Sequence, residues 1–174
     1  VFMLARVSEA MLILHAHQNF GLAEAYTPLI LILYNGANSL ASYPVGRLSD
    51  FTDRRIILAV GFAVLILADV LLGFAPNIWV MMAGVAVWGV QIGMTQSMFM
   101  ALIADNVPDD LRGTGFGFYY LISAVALILA STIGGFVAQH FGESVTFIVS
   151  CCIGVVSLMM LLVLIRRQPT PDKG

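Results

Sequence analysis

The chain has 174 residues, of which 60% are hydrophobic and 10% charged, and its formal net charge is -2. With a mean hydropathy of +0.95, this composition excludes an ordinary soluble domain, gives no support to nucleic-acid binding, and places the chain in the membrane class. A hydrocarbon core of about 30 Å takes roughly 20 helical residues to cross, and backbone polar groups inside it are satisfied only within helices or closed barrels.

Polar residues and Pro/Gly punctuation divide the sequence into six apolar spans at about 2–20, 26–45, 55–75, 78–103, 114–138 and 144–165, too long and too uniformly apolar for barrel strands. The expectation is an all-α membrane bundle over 1–165, followed by a polar tail, "RRQPTPDKG", at 166–174. The first span opens Val-Phe-Met-Leu inside an apolar run, which reads as the truncated end of something longer. It contains Arg6, Glu9, His15 and His17. Arg6 and Glu9 stand three apart and share a helical face, so they can pair. Ionisable groups at membrane depth mark function by default, with Glu9 as a proton carrier and Arg6 as counter-charge or anion contact. His15 and His17 do not share a face and are expected at the outer interface.

Span two contains Tyr34, Asn35, Asn38 and Ser42, with Tyr34, Asn38 and Ser42 recurring every fourth residue on one face. Such groups are costly in hydrocarbon unless they face protein or water, which makes this span the wall of an interior or a cavity. Spans three and six are nearly pure Leu, Ile, Val, Ala and Met and are expected to face lipid, Asp69 being the lone acid of span three in a structural or outer-interface role. Span four contains Gln91, Thr95, Gln96 and Ser97, with Gln91 and Thr95 on one face and Trp88 one turn away. Gln91, Thr95 and Gln96 join Asn35 and Asn38 as candidate substrate contacts. In span five, Gly134 and Gly135 suit close helix packing. In span six, the neighbours Cys151 and Cys152 point about 100° apart and form neither a zinc site nor a disulfide.

The basic residues outside span one follow spans two, four and six: Arg47, Arg54 and Arg55, then Arg112, then Arg166, Arg167 and Lys173. The positive-inside rule makes that end cytoplasmic and puts the C-terminus inside. Two loops at this end stand out, "GRLSDFTDRR" at 46–55 and "PDDLRGTGFG" at 108–117. In the second, Asp109 or Asp110 is expected to cap span five, Arg112 to reach Asp105, and Gly113 with Gly117 to admit a neighbouring backbone. The Gly-Lys-Ser/Thr ending of a phosphate-binding loop is absent. A sparse echo between 46–53 and 135–142 suggests an inverted three-plus-three repeat.

The loop 46–55 resembles the motif Gly-x-Leu-x-Asp-Arg-x-Gly-Arg-Arg of the major facilitator superfamily through Gly46, Leu48, Asp50, Arg54 and Arg55. Residues 104–142 resemble the loop and penultimate helix of that family's C-terminal half. Phe51 stands where the family has Arg, leaving Arg47, Arg54 or Arg55 to partner Asp50. Asp53 stands where it has Gly, and Asp tolerates the left-handed geometry a turn requires. The resemblance implies one six-helix half, the C-terminal one, of a twelve-helix bundle. It implies secondary active transport of a small solute by alternating access, with proton-coupled efflux, in the plasma (inner) membrane.

On that basis the substrate or proton pathway comprises Arg6, Glu9, Asn35, Asn38, Gln91, Thr95 and Gln96. The cytoplasmic gating latch comprises Gly46, Leu48, Asp50, Arg54, Arg55, Asp105 and Arg112. The expected partners are a small-molecule substrate, the lipid bilayer, and the other six-helix half or a second copy. No cofactor, metal or nucleic acid is expected. Neither a His-Glu-x-x-His nor a Gly-x-Ser-x-Gly pattern supports an intramembrane enzyme. The alternatives are a non-transporting interaction or regulatory membrane protein, and a half-transporter that works only as a dimer.

Overall fold

The structure, a computed structural model, describes Phe2 and residues 9–167. Among these residues it contains six α-helices and no strand: α1 Glu9–Phe20, α2 Thr27–Leu48, α3 Arg54–Gly73, α4 Ile78–Asn106, α5 Arg112–Phe141 and α6 Glu143–Arg167. Short 3₁₀ turns at Glu24–Tyr26 and Asp109–Leu111 lead into α2 and α5. The expected Arg6–Glu9 pairing and the tail beyond 167 lie outside the described residues.

Local chemistry sets the helix starts. α2 begins Thr27-Pro28, where the missing proline N–H costs nothing because first-turn amides have no partner within the helix. Asp53 caps α3 by accepting the Arg55 amide at 2.8 Å, and Asn77 caps α4 by accepting the Val80 amide at 3.0 Å. Asp53 has φ -60° and ψ 123°. It therefore replaces the family's glycine through its side chain and not through left-handed backbone. Among the described residues only Gly21 and Gly142 have positive φ, and Gly142 alone separates α5 from α6. α5 starts at Arg112 without a side-chain cap, because the 3₁₀ turn carries Asp109 and Asp110 instead of presenting them at its first amides.

Among the described residues four stretches, Arg54–Gly73, Ile78–Asn106, Asp109–Phe141 and Val145–Arg166, are long and apolar enough to cross a membrane. α2 has 22 residues, about 33 Å of helix, but its polar side chains dilute its apolarity.

The tightest seam runs between α2 and α4, which lie parallel. A Cβ on Gly89 would meet the Tyr34 carbonyl oxygen, and one on Gly93 would stand 2.6 Å from the Asn38 carbonyl oxygen. Only glycine lets the two backbones approach this closely. Tyr34 then stacks obliquely on Trp88, ring centroids 5.2 Å apart.

α3 is wedged between α4 and α6. Gly61 faces Thr95 of α4, and Gly154 of α6 faces Ile66 and Leu65. The expectation that span three faces lipid is corrected here. Ile57, Leu58, Phe62, Leu65, Ala68 and Leu72 are buried in the core, and the uniform apolarity of this helix hid which side packs.

α1 reaches the same core. His15 is buried, edge-on to Phe20 and Phe147 at 5.7 and 5.0 Å, and its Nδ1 accepts from Asn19 at 3.0 Å. It is a core residue and not an interface one, because three helices converge on its ring. His17 instead ties α1 to α2, bonding the Leu22 carbonyl and, at 3.0 Å, the Thr27 hydroxyl. Gly113 and Gly117 face open space, whereas Gly115 packs on Val107 and Ile103. α5 has no buried residue.

Candidate functional site

The contacts orient the helices alternately, so the start of α3, the end of α4 and the start of α5 share one end of the bundle. There the Arg54 guanidinium donates to the Asp105 carboxylate and, at 2.7 Å, to the Ala101 carbonyl. Arg112 pairs with Asp109 at 2.8 Å. The sequence suggested Asp105 for Arg112, but helix α3 delivers Arg54 to Asp105 first. Gly46 and Leu48 close α2, where the Ser49 hydroxyl donates to the Gly46 carbonyl at 2.6 Å. Asp50 is exposed and makes no side-chain bond to another described residue. Arg55 supplies its amide to the Asp53 cap. Phe51 is 88% exposed.

Above this end a cavity of about 640 Å³ opens between α2 and α4. From α2 it is lined by Asn38, Ser39, Ser42 and Tyr43, and from α4 by Gln96, Ser97 and Met100. The same register produces both seam and cavity: the glycine side of α4 draws α2 in, and the polar residues next to it are left flanking a gap. The Ser42 hydroxyl donates to the Asn38 carbonyl at 2.8 Å and the Ser97 hydroxyl to the Gly93 carbonyl at 2.7 Å. Their lone pairs remain available to a solute. Asn38 and Gln96 carry carboxamides, which both donate and accept.

Two of the candidate substrate contacts, Asn38 and Gln96, therefore meet at this cavity, together with Ser42 of the polar face of span two. Asn35 does not line it; its amide donates to the Leu31 carbonyl at 2.8 Å on the helix exterior. Gln91 and Thr95 are 0% and 2% exposed, turned away from the cavity into the packed core. The Gln91 amide donates to the Thr95 hydroxyl at 3.1 Å, and that hydroxyl donates to the Gln91 carbonyl at 2.9 Å. Gln91 and Gln96 stand five positions apart on the helix, enough to put them on different faces.

Sequence reasoning missed Ser39, Tyr43 and Met100 as lining residues, and it missed the Gly89/Gly93 seam. The Gly-x-x-x-Gly spacing was a readable signal for the seam; nothing in the α2 sequence alone separates Ser39 from the packed face.

The whole chain, residues 1–174, matches the family model described as Major Facilitator Superfamily. The chain belongs to the major facilitator superfamily. It is 27% identical over 161 residues, 90% of this chain and 39% of the relative, to a protein of Pasteurella multocida named "Probable sugar efflux transporter". It is 32% identical over 136 residues, 78% of this chain and 33% of the relative, to an uncharacterized MFS-type transporter of Pseudomonas aeruginosa. It is 24% identical over 149 residues, 86% of this chain and 38% of the relative, to the quinolone resistance protein NorA of Staphylococcus aureus. The chain thus spans about two fifths of the length of such relatives, or less. It is a multi-pass membrane protein of this family.

Proposed function

We propose that this chain is one six-helix wall of a secondary active transporter that exports a small organic solute by alternating access. The observation that carries the reading is the α2–α4 cavity, which both helices line with polar side chains. Polar groups at membrane depth are retained where they meet water, a solute or one another. The name of one relative, "Probable sugar efflux transporter", supports the direction of transport.

In this reading the end carrying Arg47, Arg54, Arg55 and Arg112 is cytoplasmic, in the inner membrane, and the C-terminus is on that side. The opposite wall of the cavity comes from a second six-helix unit, either the other half of the transporter or a second copy. Glu9 exchanges the coupling proton, with Arg6 as its counter-charge. Gly46, Leu48, Asp50, Arg54, Arg55, Asp105 and Arg112 form the cytoplasmic gate, with Arg54–Asp105 as its closed contact. A transporter of this kind performs no covalent chemistry.

The test is solute flux in proteoliposomes containing the protein, with a sugar and a quinolone as probes, with and without an imposed pH gradient. Saturable, gradient-accelerated flux of either probe is expected. Flux equal to that of empty vesicles for both probes overturns the reading.

A further inference from the structure

The cavity lining also carries information about the kind of solute. Each group on it is a hydroxyl, a carboxamide, a phenol or a thioether; there is no carboxylate, guanidinium, ammonium or imidazole among them. Arg47, one turn beyond Tyr43 on α2, is not part of the lining and holds its guanidinium carbon 5.9 Å from the centre of the Tyr43 ring. Arg54 and Asp105, further toward the same end, satisfy each other. A charged solute leaving water for this cavity finds no counter-charge among the described residues that line it, and uncompensated charge is the most expensive thing to bury.

The hydrogen-bonding capacity is instead mixed. Ser42 and Ser97 use their protons on backbone carbonyls and keep acceptor lone pairs. Gln96 and Ser39 are exposed to the cavity and make no hydrogen bond to another described residue. Both donors and acceptors thus line the wall, and a hydroxyl group, itself both donor and acceptor, matches that mixture better than an ion does. The Tyr43 ring and the Met100 thioether supply apolar contact for the carbon skeleton. The volume of about 640 Å³ lies within the range of about 300–1,000 Å³ usual for small-solute sites.

We propose that the α2–α4 cavity selects an uncharged, polyhydroxylated solute over organic anions and cations, with Gln96 and Ser39 as its specificity-determining residues. This rests on the reading of the cavity as the solute site. A site built to hydrogen-bond hydroxyl groups discriminates strongly against solutes that leave its polar groups unpaired.

Three probes share one six-carbon polyol skeleton and differ in end-group charge: sorbitol is neutral, gluconate anionic and N-methylglucamine cationic. Their equilibrium binding to the protein in lipid nanodiscs is measured for the parent chain, Gln96→Leu, Gln96→Glu and Ser39→Ala, with thermal midpoints confirming that each variant folds. Sorbitol is expected to bind at least about tenfold more tightly than either ion, and to lose about tenfold in Gln96→Leu and in Ser39→Ala. Gln96→Glu is expected to raise N-methylglucamine affinity. An ion that binds as tightly as sorbitol, and loses affinity in Gln96→Leu, overturns the neutral-solute assignment while leaving the cavity as the solute site. Binding that is unchanged in Gln96→Leu and Ser39→Ala, or no binding of any probe, overturns both.

Discussion

Arg54, on the first turn of α3, bonds the carboxylate of Asp105 and the carbonyl of Ala101 on the last two turns of α4, pinning the start of one helix to the end of the next. Both side chains are partly solvated, 24% and 53% exposed, so the pair is worth little to stability, about 0.2–1 kcal/mol. In the proposed gate its role is to close one end of the bundle. Asp105→Asn is therefore expected to leave the thermal midpoint nearly unchanged while shifting the ratio of outward to inward accessibility of the cavity. A large loss of stability with unchanged accessibility would make the contact a structural brace instead.

The α2–α4 seam predicts a different outcome. A methyl group on Gly89 or Gly93 runs into a backbone carbonyl of α2, which cannot rotate away as a side chain would. Gly89→Ala and Gly93→Ala should each destabilise the bundle by about 1–3 kcal/mol, the usual cost of overpacking. Gly36→Ala, where nothing stands within 4 Å of the added methyl, should be neutral or slightly stabilising. Thermal unfolding in detergent separates the two classes.

Asp69 and Ser150 link α3 to α6 within the apolar core: the Ser150 hydroxyl donates to Asp69 Oδ2 at 2.6 Å, and Asp69 is 1% exposed. Its other oxygen has no hydrogen-bond partner among the described residues. Removing the donor in Ser150→Ala leaves a buried acid short of its bond, at a cost of about 1–3 kcal/mol. Asp69→Asn with Ser150→Ala should then be less damaging than the sum of the two single changes, with a coupling of about 0.5–3 kcal/mol in a double-mutant cycle. Additive effects would show that the hydrogen bond carries no energy of its own.

At the turn before α3, Asp53 offers a direct test of how this chain departs from the family motif. Its carboxylate caps the helix through the Arg55 amide. Asp53→Ala should cost about 0.5–2 kcal/mol, and Asp53→Gly, which restores the family residue, only a few tenths. Denaturation midpoints for the two variants decide whether capping or backbone freedom is what the position requires.

Much of the architecture was legible in the sequence because apolar runs bounded by Pro, Gly, Asp and Asn translate directly into helices and their ends. The loop 46–55 was legible as a family motif for the same reason: its charges sit where a greasy chain has few others. Orientation was less accessible. α3 is apolar on every side, so nothing in its sequence distinguishes Leu65, fully buried, from Leu67, 52% exposed. Gln91 and Gln96 are the same residue type five positions apart, and only the glycine seam with α2 decides which one meets the cavity. The partner of Asp105 depends on where α3 begins in space, a tertiary fact that favours Arg54 over the nearer-in-sequence Arg112.

The central claim is that the α2–α4 cavity opens to one side of the membrane at a time, and the most direct measurement is sided labelling of Ser39→Cys. The native Cys151 and Cys152 are replaced by Ala, the protein is placed in sealed vesicles, and a membrane-impermeant thiol reagent is applied to one face or the other, with and without solute. With the Arg54–Asp105 contact formed, labelling is expected from the face opposite that contact in the resting state, with a solute-dependent shift toward the cytoplasmic face, the two accessibilities changing in opposite directions. Equal labelling from both faces that solute does not alter, or labelling from neither, would contradict it.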